Sequence, residues 1–407
     1  MPVGIEKLNL YSSSLMLDLA NLAERRKRDL QDLQENLFLN HRSVNPPWED
    51  TVTMAVNAAK PMLTEQDKQD IELLIVGTES AVDFGKPAAT WAHKFLGINP
   101  NCRTYETKHA CYSGMAGYTA ALGWLEGNAP PGKKALVIAA DYSRSHFGAH
   151  HEFVLGGIGA AMLCSRTPKI VEVETDKVGY WTTEIADTFR PTSIVEMGNN
   201  ETSLYSYLDA LEGSLTHFLS KVPECTSLDY FKKHLYHMPF GGMTFQAHRN
   251  VCGRFGIKKK SEIRASWEAK VRASLRFARE VGSCYGGSTF AALAGMVLGS
   301  DDIQPGDRAS VFVYGSGCQG EFYSQKFLAD AKATVQSMKI DEQMADRHEI
   351  SVDEYEAVEK LRESYVDKAN VTPDISGFDG WYDRHYKGKG YLVLKQVDNY
   401  YRTYDWS

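Results

Sequence analysis

Apolar runs that end in polar or small residues recur along this chain in a fixed alternation with uncharged helical stretches. IELLIVGTES (71–80) reads as a strand ending in polar residues. ACYSGMAGYTAALGWL (110–125) follows as an uncharged helix rich in small residues, and KALVIAADYS (134–143) as a second strand of the first kind. The second half repeats the order with YFKKHLYHMPF (230–240), an uncharged helix over 281–298, and RASVFVYGSG (308–317). Short continuous apolar runs of this length fit strands covered on both faces. Strand, buried helix, strand, stated twice, predicts two similar α/β halves packed around central helices. Both helices carry Cys-Tyr near their starts, Cys111-Tyr112 and Cys284-Tyr285. In such a fold, groups at strand ends and helix starts converge between the halves.

The remaining pattern is plainer. Residues 13–38 read as a surface helix, with the charge run Glu24–Asp29 as its solvated face. NPPWED (45–50) reads as a loop. Ser351 and Glu354 form a capping-box pattern opening a charged amphipathic helix over 351–368. No low-complexity linker divides the chain, which predicts one compact body. The stretch 281–300 is uncharged and long enough to span a bilayer. Its five glycines and several hydroxyl residues suit a helix buried in a protein core instead.

Composition narrows the class. Hydrophobic residues make up 43% of 407 and charged residues 24%, the balance of an ordinary soluble globular protein. A formal charge of −7 argues against general nucleic-acid binding. Seven cysteines, an odd number, do not form a disulfide framework. Glu6 and Lys7 interrupt what a secretory signal would need as an apolar core, so a reducing cytoplasm is expected, with no membrane association.

Four places carry candidate chemistry. In ETKHACYSGMAG (106–117), Cys111 stands where a helix is predicted to start. A helix N-terminus would lower the thiol's pKa, and its free N–H groups would suit a thioester oxyanion. Packing in the core is the competing role for Cys111, and it is the role expected of Cys102, Cys164 and Cys252. Glu79, at the end of an apolar strand, fits a partly desolvated general base, with Asp83 as its rival. His237 precedes a Pro-Phe-Gly-Gly turn at a strand mouth and can donate to a carbonyl, with His234 and His248 as alternatives. Gly315-Ser316-Gly317 forms a tight turn whose backbone N–H groups suit an oxyanion, without the spacing of a nucleophile elbow.

Other signals are absent or bland. GGIGAAML (156–163) lacks a dinucleotide fingerprint, and there is no P-loop. His146, His150, His151 and Glu152 show no metal-ligand spacing and read as loop or surface residues, so no metal is expected. From His248 to Arg279, ten lysines and arginines face only Glu262 and Glu268, a window of +8. Such a stretch is either a solvated face or a landing site for phosphates or an acidic protein.

As a set, GTESAVDFGK, ETKHACYSG, HMPFGGM and YGSGCQGEF resemble the motifs of the hydroxymethylglutaryl-CoA synthase family, in the same order over nearly the whole chain. The resemblance implies a thiolase-like α/β fold in α-β-α-β-α layers. Its halves would be 1–170, holding Glu79 and Cys111, and 171–407, holding His237 and Ser316, usually assembled as a homodimer. It implies that Cys111 is acetylated by a donor thioester and that Glu79 removes a methyl proton. His237 would polarise the acceptor, and the backbone at Ser316, with Gly315 beside it, would hold the acetyl oxygen. No permanently bound cofactor is implied, only acyl-phosphopantetheine or CoA thioester substrates. Ser283 stands where the family has an asparagine that helps bind the acceptor, and serine lacks the amide.

CYSGMAG, VDFGK, SYLDALE and PFGGMTFQAHR are more similar to the branch that adds acetate to a β-ketone on an acyl carrier protein during polyketide assembly. For that branch His248, Arg249, Arg254 and Lys258 would meet the carrier or its phosphopantetheine. The alternatives are a CoA-dependent synthase of isoprenoid precursor metabolism, a non-condensing acyltransferase or hydrolase, and a carrier-binding scaffold.

Overall fold

The computed structural model describes residues 1–144 and 146–407, and the side chains of all of these except His150 and Asp379. A nine-stranded sheet runs through the molecule in the order 233–236, 308–315, 319–327, 171–182, 4–11, 157–165, 134–142, 71–77, 103–107. The order reads as one motif used twice. In the first half Gly4–Tyr11 is antiparallel to Gly157–Ser165, which is antiparallel to Lys134–Tyr142, itself parallel to Ile71–Gly77. In the second, Val171–Thr182, Gln319–Phe327, Arg308–Gly315 and Lys233–Tyr236 repeat those relations. Arg103–Thr107 adds a parallel edge strand to the first half alone. The two sets join where Gly4 and Ile5 pair with Glu172 and Val171.

Strand alternation explains the layers. Side chains of successive strand residues point to opposite faces. Leu73, Ile75, Ala135 and Val137 face the central helices Ser113–Gly127 and Ser288–Gly299, whose Met115, Tyr118, Phe290 and Leu293 share their core. Leu74, Val76, Leu136 and Ile138 face outward to helices Thr51–Ala59 and Ala88–Leu96. Both faces being covered, the runs are apolar throughout, as parallel strands in this setting require. Helices Asn200–Lys221 and Gly241–Arg254 add Tyr207, Leu211, Met243 and Val251 to the core of the second half.

Three segments differ from the sequence expectation. Residues 281–298 are not one helix: Ala278–Val281 stops at Gly282, whose φ of +81° breaks it, and Ser288 starts the central helix afresh. Among the described residues no helix is long and apolar enough to cross a membrane. Residues 13–38 form strand Leu15–Asp18, helix Leu19–Arg26 and a short π-helical turn Asp32–Asn36. Leu15, Leu17, Leu22 and Leu33 are buried there because Tyr355 and Val358 of helix Val352–Ser364, together with Trp381, pack over them. Local periodicity carries no trace of a covering that arrives from more than 300 residues away.

The capping box predicted at Ser351 is present, with Glu354 returning a bond to the Ser351 N–H at 2.8 Å. The last hairpin, Leu392–Asp398 with Tyr401–Trp406, packs on the first half of the chain. Asn57 exchanges two hydrogen bonds with the Leu392 backbone, at 3.1 and 2.7 Å. Asp50, the cap of helix Thr51–Ala59, accepts the Tyr404 hydroxyl at 2.8 Å.

Candidate active site

The parallel strands Ile71–Gly77 and Lys134–Tyr142 deliver Glu79 and Asp141 to the same end of the sheet. Asp141 is fully buried, and its Oδ1 accepts the Thr78 hydroxyl at 2.8 Å, the Glu79 N–H at 2.8 Å and the Ser80 N–H at 3.1 Å. One carboxylate oxygen thereby fixes the backbone on both sides of Glu79. So held, Glu79 places its carboxyl within hydrogen-bonding reach of the Cys111 thiol.

Cys111 sits at the apex of a strand-to-helix turn between Arg103–Thr107 and Ser113–Gly127. The Tyr112 N–H closes the turn on the His109 carbonyl at 2.9 Å, and the Thr107 hydroxyl ties it to the Ser113 carbonyl at 2.8 Å. Ala110 has a φ of +41°, in the left-handed region where a side chain is costly, and alanine carries the smallest one after glycine. The turn from the other half presses against it. A Cβ at Gly315 would lie 2.7 Å from both the His109 carbonyl and the Tyr112 N–H, so only glycine fits. The His109 ring bonds the Ser316 backbone, and Asp187 pins the same turn by accepting the Tyr314 hydroxyl at 2.6 Å and the Gly317 N–H at 3.0 Å.

The Cys111 thiol departs from the expected thiolate. Burial raises its pKa well above the ordinary thiol value, and the negative charges of Glu79 and Asp141 raise it further. These outweigh the helix N-terminus, which starts two residues later. Glu79 is likewise raised, by burial first and by Asp141 and Glu196 after it, while Arg190 and the Cys111 hydrogen bond pull it down. The resting thiol is thus held protonated, while the neighbouring carboxyls Glu79 and Asp141 are both raised above the usual carboxylate range, chiefly by burial.

His237 lies one residue beyond strand Lys233–Tyr236, its N–H on the Phe312 carbonyl at 2.7 Å. Its ring is buried, Nδ1 is 2.6 Å from the Ser288 hydroxyl, and Nε2 has no partner. Burial pushes its pKa down to about 3, so the imidazole is neutral at physiological pH. The tautomer in which Ser288 donates to Nδ1 leaves Nε2–H free to donate.

Buried polar atoms without partners gather around Glu79: its own Oε2, Asp141 Oδ2, Arg190 Nη2, Ser113 Oγ and the Tyr285 hydroxyl. Such atoms are uncommon in folded proteins, and a cluster of them marks a place where a polar molecule completes the bonding. Asp141, Arg190 and Tyr285 were not among the sequence candidates. Asp141 had a signal, since it ends an apolar strand as Glu79 follows one. Arg190 lies in an irregular stretch with no periodicity to mark it.

The other candidates fall elsewhere. Asp83 is exposed and accepts the N–H groups of Gly85 and Lys86. His234 is buried against Ser310 at 2.6 Å, and Cys164 and Cys252 are buried, whereas Cys102 is only partly so. His248 is a correction: it is fully buried between the Tyr236 hydroxyl at 3.0 Å and Ser266 at 2.9 Å, so it cannot touch a carrier. Arg249, Arg254 and Lys258 are exposed, and among the described residues neither they nor Lys260 have an ion-pair or side-chain hydrogen-bond partner. Ser283 is buried on the loop before Tyr285, its N–H bonded to the Val154 carbonyl at 2.7 Å. Glu152 is not a surface residue but fully buried, bound by Arg26 at 2.9 Å. His146 lies partly buried, 3.7 Å from Glu196, and the His150 side chain lies outside the described residues.

Comparison with known proteins agrees with this architecture. The family models for the hydroxymethylglutaryl-coenzyme A synthase N terminal and C terminal regions match residues 1–168 and 246–406. The polyketide biosynthesis 3-hydroxy-3-methylglutaryl-ACP synthase PksG of Bacillus subtilis (strain 168) is 35% identical, over 99% of both chains. The hydroxymethylglutaryl-CoA synthase of Enterococcus faecalis is 30% identical, over 88% of this chain and 91% of its own. The HMG synthase of the curacin biosynthetic pathway, solved in complex with holo donor-ACP, superposes with a TM-score of 0.95 at 37% identity, covering 100% of both chains. Fold and relatives define a condensing acyltransferase of thiolase-like architecture. The chain belongs to the hydroxymethylglutaryl-coenzyme A synthase family.

Proposed function

We propose that this chain adds an acetyl-derived carbanion to the β-ketone of a carrier-protein-bound polyketide thioester. The observation that carries the reading is the Cys111 thiol paired with the Glu79 carboxyl at the seam between the halves. Cys111 attacks the donor thioester, giving acetyl-Cys111, and its proton leaves with the departing carrier thiol. Glu79 takes a proton from the acetyl methyl group, and the enolate carbon bonds to the acceptor's β-carbon. Nε2–H of His237 donates to the ketone oxygen as it becomes an alkoxide, and the proton held by Glu79 completes the hydroxyl. Backbone N–H groups at Cys111 and Ser316 hold the acetyl oxygen. Water then splits the enzyme thioester, leaving a carboxylate on the product and a thiol on Cys111.

A carrier-bound substrate is favoured by identity to carrier-type relatives over full length and by the charged surface. Helix Gly241–Arg254 starts four residues after His237 and ends at exposed Arg254, with exposed Lys258 four residues beyond it. Its 14 residues span about 20 Å. A carrier docked on those cations would send its arm along the helix toward the imidazole. Reversing the charge at Arg254 and Lys258 together should weaken use of acetyl-carrier protein roughly tenfold and leave acetyl-pantetheine turnover unchanged. Mass spectrometry should find acetyl on Cys111, and the reading fails if none forms.

The CoA-dependent reading draws on the Enterococcus relative and predicts equal turnover of acetyl-CoA and acetyl-carrier protein. Product analysis excludes or reveals acyl transfer without a new carbon–carbon bond, and Cys111→Ala leaves a pure scaffold unaffected. A homodimer belongs to the same proposal. Edge strand Arg103–Thr107 exposes Arg103 and Tyr105, and central helix Ser113–Gly127 exposes Thr119, Ala120 and Gly123, uncharged and small enough for close packing.

A further inference from the structure

We propose that Arg190 is a positioning residue, which holds the Glu79 carboxyl against the Cys111 thiol and favours its ionised form. The inference rests on Glu79 being the base that removes the methyl proton.

The guanidinium is spread over three duties. Nε binds Glu196 at 2.8 Å, Nη1 donates to the Glu79 carbonyl at 3.2 Å, and Nη2 stands 3.7 Å from Glu79 Oε1. Main chain and side chain of one residue are thus gripped together. Nη2 has no hydrogen-bond partner and Glu79 Oε2 has none either, so both buried atoms are free to take one. The aromatic ring of Tyr285, 5.8 Å from the guanidinium, covers the cation from the second half.

Charge counting shows what the cation does. Around Glu79 stand Asp141 from the neighbouring strand, Glu196 from the loop that carries Arg190, the Cys111 thiol from the helix turn and the Tyr285 hydroxyl. His146 lies behind Glu196 at 3.7 Å. Among the described residues of this group, Arg190 is the one fixed positive charge against three carboxyls. Without it, each carboxylate would be buried beside two others, and a buried carboxyl so placed takes up a proton. A protonated Glu79 cannot accept a methyl hydrogen. Of the forces on Glu79, the charge of Arg190 is the largest one pulling its pKa down against burial.

The test follows exchange of the methyl hydrogens of acetyl-Cys111 in deuterated water, after loading with acetyl-CoA, as a function of pH. Exchange needs the base but neither an acceptor nor a carrier. In the wild-type chain it should rise with pH through the titration of Glu79 and be lost in Glu79→Gln. In Arg190→Gln the rising limb should move up by about one to three pH units, and Arg190→Lys should recover part of the shift. The stoichiometry of Cys111 acetylation reports folding of each variant. For Arg190→Lys, infrared titration of the Glu79 carbonyl band, as a difference from Glu79→Gln, repeats the measurement without turnover. Superimposable limbs in wild type, Arg190→Gln and Arg190→Lys overturn the role of Arg190. Wild-type exchange that survives Glu79→Gln instead overturns the assignment of the base, and the inference with it.

Discussion

Cys111-Tyr112 and Cys284-Tyr285 both precede central helices, yet the fold turns them in opposite directions. In the first half the left-handed residue is Ala110, before the cysteine, and the turn lifts Cys111 toward Glu79. In the second half the left-handed residue is Tyr285, after the cysteine, at a φ of +45°. There the tyrosine hydroxyl faces the site without a partner, while Cys284 turns inward to the Gly282 carbonyl at 3.3 Å. Tyr112, conversely, is tied to buried Glu321. The pairs also sit at different distances from their helices, which start at Ser113 and Ser288. A shared dipeptide does not fix a role; where the non-glycine residue at positive φ falls decides which side chain is presented.

The comparison breaks most decisively at the two cysteines. Cys111→Ala should lower turnover by at least roughly a thousandfold and abolish the acetyl label. Cys284→Ala, which removes a thiol pushed up to about 12 by burial, should keep turnover near wild type. Its cost should appear in denaturant unfolding, at about 1 kcal/mol. Equal kinetic losses would put both thiols in the chemistry. Next in size, Glu79→Gln should reduce carbon–carbon bond formation by about 10²–10⁴-fold while acetyl-Cys111 still accumulates, as mass spectrometry of the trapped enzyme would show.

A second pair of look-alikes sharpens the point. His237 with Ser288 and His234 with Ser310 have the same 2.6 Å contact. Only the first should affect catalysis: Ser288→Ala frees the imidazole and should cost about tenfold in turnover, whereas Ser310→Ala should alter stability alone. Parallel kinetics and melting curves separate the two.

The last effect is a slope. His234, His237 and His248 are buried neutral, with His248 held down to about 4 by burial and by Lys270. Below the ordinary value of 6.5 the unfolded chain binds protons that the folded chain refuses, so stability falls as pH drops from there toward 4. His248→Gln should flatten that slope by about 1.4 kcal/mol per pH unit, as urea melts across this range would show.

The same particulars show what was legible beforehand. Strand runs such as IELLIVG announced themselves because both faces are covered, and the motif residues Glu79, Cys111 and His237 stand at their ends. The direction of the Cys111 pKa was not legible, because burial and the nearness of Glu79 come from packing rather than from the local turn. His248 looked like part of a basic stretch, yet helix periodicity turned it inward while Arg249 stayed out. Arg190 and Tyr285 needed the two halves to be assembled before either could be seen.

At Gly114 and Gly286 the halves touch through bare main chain: a methyl group on Gly114 would come within 2.7 Å of the Gly286 carbonyl. The seam beside the Cys111 turn is therefore gauged by the thickness of two peptide units. Any enlargement at either residue would wedge the seam beside Cys111.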